Sequence, residues 1–222
     1  MFCAQPHAAD ISSDKESYNP HLSLPEGSGC FPVIVLSHGA GGLKGSIYEW
    51  GKKFAAWGFA TIVLDHYAPR GFSSENRMST QDSFEYRRGD LISILKIIKN
   101  DKRFDCAKVT LAGWSRGAGF VGHGILDEVA REEAEFEHPI KAAVLFYPQS
   151  NTFFRNLDEK FSLPVILLMG SEDYIWVHGW KLQWTEYKSE NHRLVLKVYK
   201  GATHLFDATV VDLGEGIEFV EY

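Results

Sequence analysis

The segment LAGWSRGAGFVGHG, residues 111–124, holds a serine between two glycines, Gly113-Trp114-Ser115-Arg116-Gly117. A serine hydroxyl is a weak nucleophile until a histidine can take its proton and an acid fixes that histidine. Alone, Gly-x-Ser-x-Gly arises often by chance, and a serine that opens a helix is as commonly an N-cap. Its surroundings decide between the two. The apolar run KVTLAG, 108–113, leads straight into the motif, and residues 115 to about 131 can form a helix. Strand, Gly-x-Ser-x-Gly, helix is the order of a nucleophile elbow. Gly113 and Gly117 remove side chains that would collide across so tight a turn, and the helix start favours developing negative charge.

An acid and a base follow in workable places. After PVILLMG (164–170) comes Ser171-Glu172-Asp173, and after RLVLKVY (193–199) comes KGATHLFD, which carries His204. Open α/β sheets build sites at the carboxyl ends of their strands, so Ser115, Asp173 and His204 can converge at one edge. Their chain order, Ser, Asp, His, is that of an α/β-hydrolase. Asp65 is a rival acid at the end of another strand, but the loop after 164–170 is the usual acid position, and Glu172 would face away if Asp173 points inward. The glycine-rich turn in LSHGAGG (36–42) can supply an oxyanion hole. One donor would be the backbone N–H of Arg116; the other would be that of Ala40, with Gly41 the alternative. His38 is read as ordering that turn and His123 as a packing residue.

These groups need a sheet to position them. FPVIVLS (31–37) and FATIVLD (59–65) are near-continuous apolar runs, as expected of strands buried on both faces. KAAVLFY (141–147) adds another, beside the three runs already named. Helical spacing marks 47–58, 84–100 and 177–189. The alternation predicts an α/β chain with a mainly parallel twisted sheet and helices on both faces. With 222 residues the chain suits a single domain, 1–222. Residues 1–26 read as weakly structured, with at most a poor strand at His21–Leu24, and no closing helix is visible near the C-terminus.

Composition narrows the function classes. The net charge of −6 argues against a nucleic-acid or anionic-membrane partner. Three widely spaced cysteines, Cys3, Cys30 and Cys106, fit neither a disulfide framework nor a zinc cluster, and the nine histidines show no metal-ligand spacing. No apolar run approaches the ~20 residues of a membrane span, and the start lacks a signal-peptide pattern, so a cytoplasmic location is the default. No metal and no cofactor is expected. The oligomeric state is not readable.

On PEGSGCFPVIVLSHGAGG, LDHYAPRG, AGWSRGAG, MGSEDYIW and YKGATHLFD, the chain resembles the dienelactone hydrolase family of α/β-hydrolases over roughly residues 27–207. The resemblance implies a small, lidless hydrolase whose triad is Ser115, Asp173 and His204. The dienelactone hydrolases proper use a cysteine nucleophile and carry a glutamate in the oxyanion loop, where this chain has Ser115 and His38-Gly39-Ala40. Hydrolysis of a small-molecule carboxylic ester or lactone through an acyl-enzyme is therefore the expected activity. Thioesterase or peptidase action would use the same residues, and a non-catalytic binding protein of this fold is the alternative from another class. Tyr67, Arg70, Tyr147, Trp176 and Phe206 fall just after strand ends or near the triad and are candidates to line the substrate pocket. Arg70 could take a substrate carboxylate in a two-pronged contact or pair with an acid of the chain itself.

Overall fold

The structure is a computed structural model that describes residues 21–126, 140–149, 163–174 and 193–208. Strands β1 (His21–Ser23), β2 (Phe31–Ser37), β3 (Ala60–Leu64), β4 (Phe104–Trp114), β5 (Ile140–Phe146), β6 (Val165–Gly170) and β7 (Leu194–Tyr199) form one sheet in the order β1-β3-β2-β4-β5-β6-β7. All pairs are parallel except β1–β3, so the poor strand anticipated at His21 is an antiparallel edge. The helices are α1 (Gly45–Ala56), α2 (Thr80–Asn100) and α3 (Arg116–Leu126).

The strand order explains where the helices lie. From β2 the chain crosses through α1 to β3 on one side, then returns through α2 to β4 on the other. Right-handed crossovers running in opposite directions put their helices on opposite faces. Accordingly α1 covers β1, β2 and β3, with Gly51 against the Thr61 and Val63 side chains, while α2 and α3 touch each other and share β4. The reversal of direction at β2 and β4 leaves a crevice beyond their carboxyl ends, which is where ligands bind in open α/β sheets. Both the glycine-rich turn and the serine turn leave from there.

The core runs along the central strands. Val33, Ile34, Val35 and Leu36 of β2, Ala60, Ile62, Val63 and Leu64 of β3, and Val109, Leu111 and Ala112 of β4 are all buried. This two-sided burial is why those strands read as continuous apolar runs rather than alternating ones.

The anticipated elements that fall within the described residues are present, some with shifted ends. Helix α2 begins at Thr80, not at residue 84, because Ser79 caps it: its Oγ accepts from the Asp82 amide at 3.1 Å and donates to the Asp82 carboxylate at 2.6 Å. The first of these bonds is that of an N-cap serine, and the second fixes its hydroxyl. Strand β4 starts at Phe104, earlier than the apolar run beginning at 108, because Phe31 of β2 pairs with it across a shift in register that precedes the Val33–Val109 pair. The helix expected at 177–189, the region of a closing helix and residues 1–20 lie outside the described residues. No helix among the described residues is long and apolar enough to cross a membrane.

Gly89 sits exposed in the middle of α2, and a Cβ there would meet nothing within 4 Å. Gly89→Ala should therefore stabilise the protein by about 0.5–1 kcal/mol, from the smaller backbone entropy lost on folding. Urea unfolding at neutral pH measures this, and a loss of stability would contradict the open space seen around the helix.

Candidate active site

Ser115 joins β4 to α3 with φ +51°, a left-handed conformation that side-chain-bearing residues seldom adopt. The turn is held by its amide, which donates to the Phe146 carbonyl at 2.9 Å, and by its carbonyl, which accepts from Gly119 at 3.0 Å. Close approach explains both flanking glycines. A Cβ on Gly113 would lie 2.5 Å from the Gly117 carbonyl oxygen, and a Cβ on Gly117 would lie 2.2 Å from that of Ser37. Neither contact could be relieved without moving backbone.

The acid and the base come from two loops tied together. Ser171 N–H donates to Tyr199 O, Glu172 N–H to Ala202 O, and Gly201 N–H to Ser171 Oγ. Gly170 admits this approach, since a Cβ there would be 2.2 Å from Ala202 O. Asp173 is fully buried and its Oδ2 is 2.7 Å from His204 Nδ1; His204 Nε2 is 3.1 Å from Ser115 Oγ. The partners assign the tautomer: Nδ1 carries the hydrogen towards the carboxylate, leaving Nε2 as the acceptor for the serine hydroxyl. The imidazole lies between the rings of Tyr147 (4.6 Å) and Tyr174 (5.0 Å).

Among the described residues three non-glycine residues have positive φ, and all border this site: Ser115 at +51°, Tyr147 at +38° and Leu205 at +64°. Such positions cost on the order of 1–3 kcal/mol each and persist only where surrounding contacts impose them. Asp207 supplies several. It is buried and accepts hydrogen bonds from Trp50 Nε1 (2.8 Å), Trp114 Nε1 (2.6 Å) and the Tyr147 hydroxyl. It thus ties the loop of His204 to α1, to the residue before the nucleophile and to the residue after β5. Burial pushes its pKa up, against the pull of the three donors.

The turn after β2 lies against the serine. A Cβ on Gly39 would be 3.4 Å from Ser115 Cβ and 3.2 Å from Trp114 O. Behind the turn is a buried polar cluster that the sequence did not disclose. Arg87 of α2 donates through Nε to Ser83 Oγ (2.8 Å) and through Nη1 to Ser37 Oγ (2.8 Å) and His38 O (2.7 Å). Ser37 Oγ is 3.0 Å from His66 Nε2, and His66 Nδ1 is 2.6 Å from Asp90 Oδ2. Arg70 closes the chain with both prongs on Asp90, at 3.1 and 2.7 Å.

A histidine beside a carboxylate ordinarily holds its proton more tightly, yet His66 is neutral. Burial and the Arg87 and Arg70 charges draw its pKa down, so the one ring hydrogen stays on Nδ1, facing Asp90, and Nε2 keeps the lone pair that accepts from the Ser37 hydroxyl. His38 is neutral for a like reason: Nδ1 lies 2.7 Å from the Gly39 carbonyl, to which it donates, and Nε2 accepts from the His66 amide at 3.1 Å. Burial, then the nearby Arg87, draws the pKa of each well below 6.5. Burial also lowers Arg87, to about 10, so it stays charged at neutral pH.

The other anticipated site residues are placed as follows. Arg116 directs its side chain away, Nη1 donating to Met78 O at 2.9 Å, while its backbone opens α3 beside Ser115. Tyr67 is buried and donates its hydroxyl to Ala40 O at 3.1 Å, so it braces the glycine-rich turn from beneath. Arg70 does not offer its fork to the site, because Asp90 occupies it. Phe206 is buried against Tyr147 and Tyr199, and only the ring of Tyr147 among the described candidates meets His204. Trp176 lies outside the described residues. Asp65 caps the turn after β3, accepting from the Tyr67 and Ala68 amides, and Glu172 is exposed. His123 packs edge-on against Phe84.

Sheet order, elbow and converging acid and base define an α/β-hydrolase. The sequence profile of the dienelactone hydrolase family matches residues 20–215, and the chain belongs to that family, as a carboxylic ester hydrolase. No curated protein matches it in sequence. Solved structures with a similar fold include a dienelactone hydrolase from Anabaena variabilis (14% identity, TM-score 0.64, covering 93% of this chain and 91% of that one). Another is an esterase from Thermogutta terrifontis with propionate bound (17%, 0.64, 90% and 85%). A third is Est1E from Butyrivibrio proteoclasticus with ferulic acid bound (16%, 0.64, 89% and 91%).

The buried histidines set a pH dependence. On unfolding each can take up a proton below about pH 6.5, whereas in the fold it stays neutral, so stability falls as pH drops from 6.5 towards the depressed values. Each contributes a slope of up to about 1.4 kcal/mol per pH unit. Asp90 and Asp207, raised by burial, act in the opposite sense. Urea unfolding between pH 7.5 and 5 should show a shallower slope for His66→Gln than for the parent, by up to one such increment. An unchanged slope would contradict a neutral His66 facing Asp90, Arg70, Arg87, Ser37 and His38.

Proposed function

We infer that Ser115 is the nucleophile of a small-molecule carboxylic ester or lactone hydrolase. The observation that carries the reading is the pair of distances on one imidazole, 3.1 Å from Nε2 to Ser115 Oγ and 2.7 Å from Nδ1 to Asp173. As Oγ attacks the ester carbonyl, His204 Nε2 takes the hydroxyl proton, and buried Asp173 stabilises the cation so formed. The carbonyl π-electrons move onto oxygen, where the amides of Arg116 and Ala40 receive the charge. Collapse of this intermediate breaks the bond to the alcohol, which leaves with the proton from His204. Water then attacks the acyl-serine by the same steps in reverse roles, releasing the carboxylic acid and restoring Ser115. Protein groups and water account for every atom of this cycle.

Two sides of the site support the assignment of the oxyanion hole: α3 begins at Arg116, and Gly39 lies against Ser115. The ring of Tyr147 beside His204 would form one wall for the leaving group. A binding protein without turnover would have no use for strain stored at Ser115, Tyr147 and Leu205 around an aligned acid and base.

Ser115→Ala should lower kcat for a p-nitrophenyl ester by at least about 10⁴-fold and abolish labelling by a fluorophosphonate. Asp173→Asn should cost about 10⁴-fold while the protein remains folded, through loss of the required histidine tautomer. Parent-level turnover by Ser115→Ala would overturn the reading.

A further inference from the structure

We propose that Arg87 is a positioning residue for the oxyanion hole, aligning the peptide between Gly39 and Ala40 from behind. The inference rests on the hole proposed above and extends it to a side chain that touches no substrate. Arg87 is wholly buried on α2, yet its guanidinium faces backbone carbonyls rather than a carboxylate: His38 O at 2.7 Å and Gly39 O at 3.4 Å. The carbonyl and N–H of a trans peptide point in opposite directions. With the Gly39 carbonyl directed at His38 Nδ1 and Arg87, the Ala40 N–H is turned the other way, towards the side on which Gly39 meets Ser115.

The cluster around Arg87 fits this role better than it fits stability alone. A buried guanidinium is costly unless its donors are satisfied, and an apolar side chain of similar volume would fill the space more cheaply. Here Ser83 holds Nε, and Ser37 holds Nη1, so the fork cannot swing away from the turn. Ser37 is fixed by His66, His66 by Asp90, and Asp90 by Arg70, a relay that runs from α2 and the loop after β3 to the end of β2. The Ser37–His66–Asp90 order copies that of a catalytic triad, but all three side chains are buried and Ser37 Oγ is occupied by Arg87, so the copy is an anchor. Tyr67 holds the next carbonyl, Ala40 O, from the same side. Successive carbonyls of the turn therefore face the interior. A cation on the Gly39 carbonyl also polarises its peptide, which makes the Ala40 N–H a better donor to negative charge.

A structural role and a positioning role differ in one readout. Replacing the carbonyl oxygen of an ester by sulfur gives a thionoester whose developing thiolate is larger and a weaker acceptor, so it draws less from the hole. The test compares kcat/KM for p-nitrophenyl acetate and its thiono analogue in the parent, Arg87→Met and Arg87→Lys. Loss of an aligned oxyanion donor costs about 10²–10³-fold. Arg87→Met should lose on the order of 10²-fold with the oxygen ester and much less with the thionoester, so that the ratio of the two falls at least about tenfold. Arg87→Lys, which keeps the charge but reaches only one carbonyl, should recover part of that ratio.

Folded variants that lose both activities in parallel, or neither, overturn the proposal. If Arg87→Met does not fold, Arg87→Lys decides on the same ratio; if neither folds, the cluster is a folding element and the proposal falls. Failure of the underlying reading looks different. In that case the parent itself does not favour the oxygen ester, or Ser115→Ala still turns it over.

Discussion

The approach of Gly117 to the carbonyls of Ser37 and His38 constrains the rest of the molecule. No side chain fits between the start of α3 and the end of β2, since a Cβ there would sit 2.2 Å from one carbonyl oxygen and 2.5 Å from the other. Because these backbones touch, the serine turn after β4 and the glycine-rich turn after β2 share one small space. That space lies where the sheet reverses its order of growth, and the neighbouring strands of the parallel sheet open on the same edge. The loops after β6 and β7 then need only be tied to each other to bring an acid and a histidine to the serine.

Two buried charged centres hold this arrangement, one on each face of the sheet. On the α1 face Asp207 draws in two indoles and a phenol and so fixes the His204 loop and the flank of the elbow. On the α2 face Arg87 gathers a serine relay and the carbonyls of the glycine-rich turn. Leaving a buried polar group without its hydrogen-bond partner costs about 1–3 kcal/mol and more when the group is charged, whereas exposed ion pairs are worth about 0–1. The strained backbone at Ser115, Tyr147 and Leu205 is maintained against this background. Tyr147 packs its ring against His204 and places its hydroxyl on Asp207.

What the sequence made legible follows from what is local in it. Buried parallel strands are continuous apolar runs, and the elbow glycines, the acid and the histidine each follow such a run by a few residues. The fold, its family and the positions where Ser115, Asp173 and His204 meet were therefore readable. Ends of elements were less so, since the Ser79 cap is a matter of side-chain geometry and the start of β4 depends on pairing with Phe31. The buried polar cluster was hidden for a different reason. Arg87 and Asp90 occupy what looks like a charged stripe on α2, and only the packed structure shows that stripe turned inward against Ser37 and His66. Arg70 and Tyr67 follow a strand end, which makes them candidates for the pocket. In the fold Arg70 pairs with Asp90, the alternative its sequence position leaves open, and Tyr67 turns its hydroxyl onto the Ala40 carbonyl.

In the proposed cycle Ser115 carries the acyl group between two half-reactions. Acid quenching of a reaction with excess p-nitrophenyl ester, followed by mass spectrometry of the peptide that contains residues 111–124, tests it directly. A burst of nitrophenol approaching one equivalent and a matching acyl mass increment on Ser115 are expected. Turnover with neither burst nor adduct, from a protein in which Ser115→Ala retains the same rate, would contradict it.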